Sequence, residues 1–233
     1  MLRLKFIKRM LIVSLSLILM TSFSISSNST VNVPVYKYNS KESKKIALTF
    51  DDGPHPKNTP LIINLLNQFN VKATFFVIGL NVVHYPEVFK MIRENGHEIG
   101  NHTYSHKSLK NKNNEYISRE ILDTEKIIFE DGCEEWKLVR PPCGLYDKAL
   151  LGFAMDNNYK IILWNIDTKD WEHKSKDEIV NNITLNAKGG DIILFHDYIS
   201  GENNTIEALK VIVPYFLKSG YEFVTVSELL QDV

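Results

Sequence analysis

Two adjacent carboxylates, Asp51 and Asp52, open the run Asp51-Asp52-Gly53-Pro54-His55-Pro56. Such neighbours repel, so they need a cation or a shared proton to be tolerated. Taken alone the run reads more readily as a turn, because Asp, Gly and Pro are common turn formers. Farther on, Asn101-His102-Thr103-Tyr104-Ser105-His106 sets two imidazoles four residues apart, able to converge on one ion from a helical turn or a tight loop. Histidine is scarce, 7 in the whole chain, and two of them fall inside the pentapeptide His102–His106. Two histidines plus one carboxylate with open positions is a hydrolytic metal arrangement. Arg140-Pro141-Pro142-Cys143-Gly144 adds a rigid loop with an Arg suited to gripping a carboxylate bidentately and a Gly that lets backbone N–H groups face an oxyanion. Asp167-Thr168-Lys169-Asp170-Trp171 and His196-Asp197 complete the set. By itself His196 reads as a core-edge histidine; the bland readings of all five runs would have to hold together.

What places these runs is an alternation of elements. Short apolar stretches with strand character lie at 46–50, 73–78, 98–100, 137–139, 161–164, 191–195 and 222–224. Between them, residues 60–69, 86–94, 115–129, 147–157, 177–186 and 205–219 read as helices, and in 60–69 and 115–129 the apolar residues recur at helical spacing. About seven strands alternating with helices predict a parallel α/β architecture, a barrel or an open sheet. In such folds chemistry collects where strands end. All five runs fall at or just beyond predicted strand ends.

Composition limits the alternatives. The 233 residues are 44% hydrophobic and 24% charged, which excludes disorder, collagen-like repeats and a disulfide-stapled miniprotein. A net charge of −1 from 27 basic and 28 acidic residues carries no footprint for nucleic acid. That balance averages two unlike parts. Arg3, Lys5, Lys8 and Arg9 precede a mostly apolar run of about 14 residues, short of the roughly 20 that span a bilayer, and then a small polar zone. Residues 1–26 therefore read as a secretory signal, cleaved or retained as an N-terminal anchor. Without those four cations the remainder stands at −5. Residues 27–44 read as a linker and 45–233 as a single domain, exported, then secreted, held at the cell wall or anchored on the outer face of the membrane. The 2 cysteines are Cys133 and Cys143, separated by a predicted strand of about 16 Å. Bridged Cα atoms lie within about 7 Å, so two free thiols are expected.

In order, Thr49-Phe50-Asp51-Asp52-Gly53-Pro54, His102-Thr103-Tyr104-Ser105-His106, Arg140-Pro141-Pro142-Cys143-Gly144, Asp167-Thr168-Lys169-Asp170-Trp171 and Leu194-Phe195-His196 resemble the motifs of the polysaccharide deacetylases of carbohydrate esterase family 4, which share the NodB homology domain. The resemblance extends from about Ile46 to Leu230. It implies a distorted (β/α) barrel and removal of N-acetyl groups from amino sugars of a polysaccharide, with cell-wall peptidoglycan the expected substrate of an exported, single-domain chain. It implies one divalent metal on Asp52, His102 and His106, commonly zinc, with cobalt, nickel or manganese as alternatives. Asp51 becomes the general base and His196 the general acid; Arg140 orients Asp51, and Asp170 holds His196. Trp171 and Leu194 wall the slot for the acetyl methyl. Cys143 stands where the family usually has an aromatic residue, which puts the fit of the sugar in question; its backbone N–H can still face the oxyanion. A monomer acting on an acetylated glycan is expected. The alternatives are an O-acetyl esterase, a phosphoesterase lacking its usual cationic clamp, and a catalytically silent wall-binding module; against the last, every proposed ligand, acid and base is present.

Overall fold

Alternate residues of the strands pack into different apolar clusters, and that alternation builds the molecule. The computed structural model describes residues 34–39, 43–129, 137–201 and 204–231. All seven expected strands form: β2 (Lys45–Asp51), β3 (Thr74–Val77), β4 (Glu98–Asn101), β5 (Lys137–Val139), β6 (Tyr159–Ile162), β8 (Ile192–His196) and β9 (Glu222–Val224). Two more, β1 (Val35–Tyr36) and β7 (Ile166–Asp167), are two residues each, too short to show a period in sequence. The helices are α1 (Asn58–Gln68), α2 (Gly79–His84), α3 (Pro86–Glu94), α4 (Asn114–Ile128), α5 (Lys148–Asp156), α6 (Lys176–Asn186), α7 (Thr205–Lys218) and α8 (Val226–Leu230). Only α2 and α8, of six and five residues, escape a reading by periodicity. Local side-chain chemistry starts several of them: Asn113 caps α4, Asp147 caps α5, and Ser175 with Glu178 and Thr225 with Glu228 form capping boxes on α6 and α8.

Every strand pairing is parallel, in the order β1-β6-β5-β4-β3-β2-β8-β7, with β9 on the first half of β2. Just beyond the end of β6, which pairs with β5, the same chain pairs with β8 as β7. That continuity closes the sheet into a distorted barrel without a β6–β7 ladder. Nine strands among the described residues replace the expected seven. Part of the stretch read as a linker, 27–44, also belongs to the sheet: β1 pairs with β6, and the buried Asn39 donates to Leu229 O at 2.7 Å. An isolated pair of polar and apolar residues carries no strand signal, which is why the sequence misplaces it. Residues 1–33 and 40–42, and with them the signal reading, lie outside the described residues. Among the described residues no helix is long and apolar enough to cross a membrane.

Ile46, Leu48 and Phe50 of β2, Phe75 and Val77 of β3, and Ile193 and Phe195 of β8 pack outward in the cluster they share with α1 and α7. Ala47, Phe76, Leu138, Ile162 and Ile192 fill the interior with Val226, Leu229 and Leu230 of α8. Thus α8 plugs the end where the strands begin: Val226 N–H donates to Thr74 Oγ1 at 2.9 Å and to Glu98 Oε2 at 3.0 Å. By the two-residue period, the inward positions at the other end are Asp51, His102, Arg140 and His196. A Cβ on Gly100 would lie 2.4 Å from the Phe76 ring, so only glycine lets Phe76 fill the centre. The Arg140 guanidinium lies 4.0 Å from the Phe76 ring centre.

Candidate active site

Asp51 ends β2 as a buried carboxylate. Its Oδ1 accepts from Arg140 Nη1 at 2.7 Å. Arg140, fully buried, spends its remaining N–H groups on Thr49 Oγ1 (2.8 Å), Ile162 O (3.2 Å) and Leu163 O (3.1 Å). The expected bidentate grip is therefore absent: Nη1 alone reaches Asp51, because Nε and Nη2 satisfy strand-end carbonyls of the closing segment. Burial pulls the Arg140 pKa below the ordinary arginine range, and the ion pair with Asp51 opposes that shift. One oxygen of Asp51 is thus held, and Oδ2 remains, 3.7 Å from His102 Nε2.

His102 and His106 approach from the loop after β4, a tight loop rather than a helical turn, with ring centres 4.9 Å apart. Asn101 Oδ1 accepts from Thr103 N–H at 2.8 Å, and Thr103 Oγ1 accepts from His106 N–H at 3.2 Å. Glu120 of α4 accepts from the Tyr104 and Ser105 amides at 3.1 and 2.8 Å and from Ser105 Oγ at 2.7 Å. Backbone strain concentrates here: Asp52, Thr103, His106 and Cys143 have φ of 75°, 68°, 56° and 57°. Non-glycine residues hold that conformation only where the surroundings impose it.

His102 Nδ1 meets Arg140 O at 2.7 Å; a carbonyl only accepts, so Nδ1 donates and Nε2 of a neutral ring offers a lone pair. That Nε2 and the Nε2 of His106 lie 3.3 and 3.1 Å from Asp52 Oδ1. Asp52 Oδ1 is buried and makes no hydrogen bond. Three ligand-type atoms within 4.8 Å of one another, one an orphaned buried oxygen, fit a single cation. Their charges couple: burial raises the Asp52 pKa but His102 and His106 outweigh it and hold it low. Burial disfavours charged His102, yet Asp51 and Asp52 raise its pKa. Burial, with His102 charge, lowers that of His106, against the opposing pull of Asp52.

His196 ends β8 beside this set. Its Nδ1 meets Asp170 Oδ1 at 2.8 Å, and its backbone N–H donates to Asp170 Oδ2 at 2.9 Å. Thr205 Oγ1 and the Trp171 amide also donate to Asp170, at 2.7 and 3.0 Å. Burial works against a charged His196, but the Asp170 hydrogen bond and charge prevail and push its pKa up to about 9. Asp51, Asp52, His102, His106, Cys143, Trp171, Leu194 and His196 line one cavity of about 520 Å³, with Arg140 and Asp170 directly behind Asp51 and His196. Every residue to which the resemblance gives a role lies in or directly behind that cavity. Leu194 is buried and Trp171 half exposed; Cys143 is an exposed, free thiol, and Cys133 lies outside the described residues. Sequence reasoning missed Glu120 and Thr205, which support these groups, and Trp164 and Tyr198, which also line the cavity. For Glu120 a signal existed: it is an acid on the buried stripe of α4 shared with Ile117, Ile121 and Thr124.

A cation-ligand set, a carboxylate held by a buried Arg and an imidazole held by a buried carboxylate, at the C-terminal mouth of a (β/α) barrel, define a metal-dependent hydrolase. The chain belongs to the polysaccharide deacetylase family, whose model matches residues 38–162. It is 44% identical over 190 residues to a peptidoglycan-N-acetylglucosamine deacetylase of Bacillus cereus, covering 81% of this chain and 89% of that one. Among solved structures it resembles the peptidoglycan N-acetylglucosamine deacetylase Bc1960 (TM-score 0.82, 37% identity, 85% of this chain and 94% of the other). It also resembles a family 4 acetyl xylan esterase of Clostridium thermocellum in complex with a cobalt ion (TM-score 0.73, 33% identity, 80% and 90%).

Proposed function

We propose that this protein is an exported N-deacetylase of peptidoglycan, acting on N-acetylglucosamine with zinc on Asp52, His102 and His106. The observation that carries the reading is the orphaned Asp52 Oδ1 facing both histidine Nε2 atoms, between the Asp51–Arg140 and His196–Asp170 pairs. Relatives named for peptidoglycan deacetylation supply the polymer. The basic and apolar start of the chain supports export. Cobalt, nickel and manganese suit the same donors, and Irving–Williams ordering leaves the choice to availability.

Asp52, His102 and His106 would hold a divalent ion, which when bound would supply Lewis-acid polarisation of the acetyl carbonyl and a lowered pKa for water. Asp51 Oδ2, left free by the Arg140 contact at Oδ1, takes the proton of the attacking water. Arg140 keeps the carboxylate turned toward the ligand set while that proton arrives. The backbone N–H of Cys143 faces the developing oxyanion from a loop stiffened by Pro141 and Pro142. His196, protonated through its Nδ1 contact with Asp170, gives the Nε2 proton to the departing amine. Trp171 and Leu194 exclude water around the acetyl methyl. Acetate release from isolated peptidoglycan, with and without chelator, tests the assignment.

A further inference from the structure

The cavity of about 520 Å³ exceeds what an acetamido group fills, so sugar rings enter it as well. On its wall, Trp171 and Tyr198 expose aromatic surface, 50% and 37%. Trp171 already serves the acetyl slot; Tyr198 has no part in the chemistry above. Its ring is nonetheless held on several sides. The His55 ring meets it edge-on, 4.6 Å between centres at 87°, and the Tyr85 side chain adjoins its hydroxyl. His55 is itself fixed, since Nδ1 accepts from the Lys57 and Asn58 amides at 3.2 and 3.0 Å, and its own N–H donates to Thr59 Oγ1 at 2.7 Å. Thr59 Oγ1 in turn donates to the buried Asp197 Oδ2 at 2.5 Å, one residue before Tyr198. The carboxylate of Asp197 lies flat against Gly53, where a Cβ would come within 2.1 Å, so the loops after β2 and β8 are locked together beneath the ring.

A tyrosine ring pinned by neighbours and still open on one side loses little freedom when a ligand covers it. The carbon-bound hydrogens on one face of a β-linked pyranose suit the negative face of such a ring.

We infer that Tyr198 is a sugar-stacking subsite: it takes the apolar face of the pyranose next to the one being deacetylated. This rests on the deacetylase reading. The test compares the metal-loaded parent, Tyr198→Ala and Tyr198→Phe on a tetrasaccharide prepared from peptidoglycan glycan strands and on 4-nitrophenyl acetate, which has no sugar to stack. Tyr198→Ala should raise KM for the tetrasaccharide about tenfold with kcat within about twofold, as expected when one aromatic stacking partner is removed from uniform binding. Tyr198→Phe should recover most of the affinity, and hydrolysis of 4-nitrophenyl acetate should show that the variants are folded and loaded. A parental KM in Tyr198→Ala, or a loss of kcat on both substrates that Phe does not rescue, overturns the subsite alone. A parent that cleaves 4-nitrophenyl acetate but frees no acetate from the tetrasaccharide overturns the deacetylase reading and the subsite with it.

Discussion

Asp51 and His196 are register partners in the parallel β2–β8 ladder. Both face inward at the end of their strands, so the separation between this carboxylate and this imidazole is set by ladder hydrogen bonds rather than by flexible loops. The Asp197 amide adds a contact to Asp51 O at 3.2 Å. A site built on strand ends holds its geometry more tightly than one built on loops, and the two roles separate by mutation accordingly.

Asp51→Asn should keep the metal and lose turnover by about 10²–10⁴-fold, the usual contribution of a positioned base. His102→Ala removes a ligand and should lose metal as well as activity. Metal content and acetate release, measured on the same preparations, check both; full occupancy in His102→Ala would contradict the ligand assignment.

His196 must be protonated to act, and its pKa is pushed up to about 9. Activity, as kcat/KM, should therefore fall as pH rises toward that value. A bound dication draws the fall lower. Asp170→Asn removes the hydrogen-bonded charge that holds the proton and leaves burial opposed only by the charges of Asp51 and Asp52, so its fall should begin at lower pH than the parent's. The same pair stabilises the fold below the unperturbed pKa of about 6.5 and stops doing so as pH rises through about 9. Identical alkaline limbs in parent and variant would sever the link between Asp170 and the acid.

Glu120→Gln should weaken metal binding by about 10–100-fold, as loss of groups supporting ligands does. Its carboxylate accepts from two amides and a hydroxyl between His102 and His106, and an amide in its place presents a donor where an acceptor is needed. Competition with a chromogenic chelator reads the affinity directly.

Arg140→Met should cost about 3–5 kcal/mol by leaving a buried charge unpaired. Arg140→Met combined with Asp51→Asn should recover part of that loss, because the uncompensated carboxylate is gone. Urea unfolding of the single and double variants measures the coupling; strict additivity would mean that the pair does not interact.

Much of this was legible in the residues. Strands that are apolar at nearly every position, such as Ile46 to Phe50 with Thr49 its one polar member, announce a sheet buried on both faces, and Asp51, Arg140 and His196 sit where those runs stop. Five short polar runs stood out because each needs several uncommon residues in order. What stayed hidden depends on tertiary contact. Val35–Tyr36 is a strand only because β6 has an open edge beside it. Arg140 turned out to be shared among four acceptors, since the closing segment after β6 brings the carbonyls of Ile162 and Leu163 into the barrel. Tyr198 becomes meaningful only once His55, far away in sequence, is placed against it.

The proposed activity is metal-dependent N-deacetylation carried by Asp52, His102 and His106 with Asp51 and His196. Quantifying acetate freed from isolated peptidoglycan by purified protein tests it most directly, before chelation, after chelation and after zinc is restored. Release is expected that chelator abolishes, that zinc restores, and that Asp51→Asn lacks while still carrying metal. Zinc-loaded, folded protein that frees no acetate, or release indifferent to chelator, would contradict it.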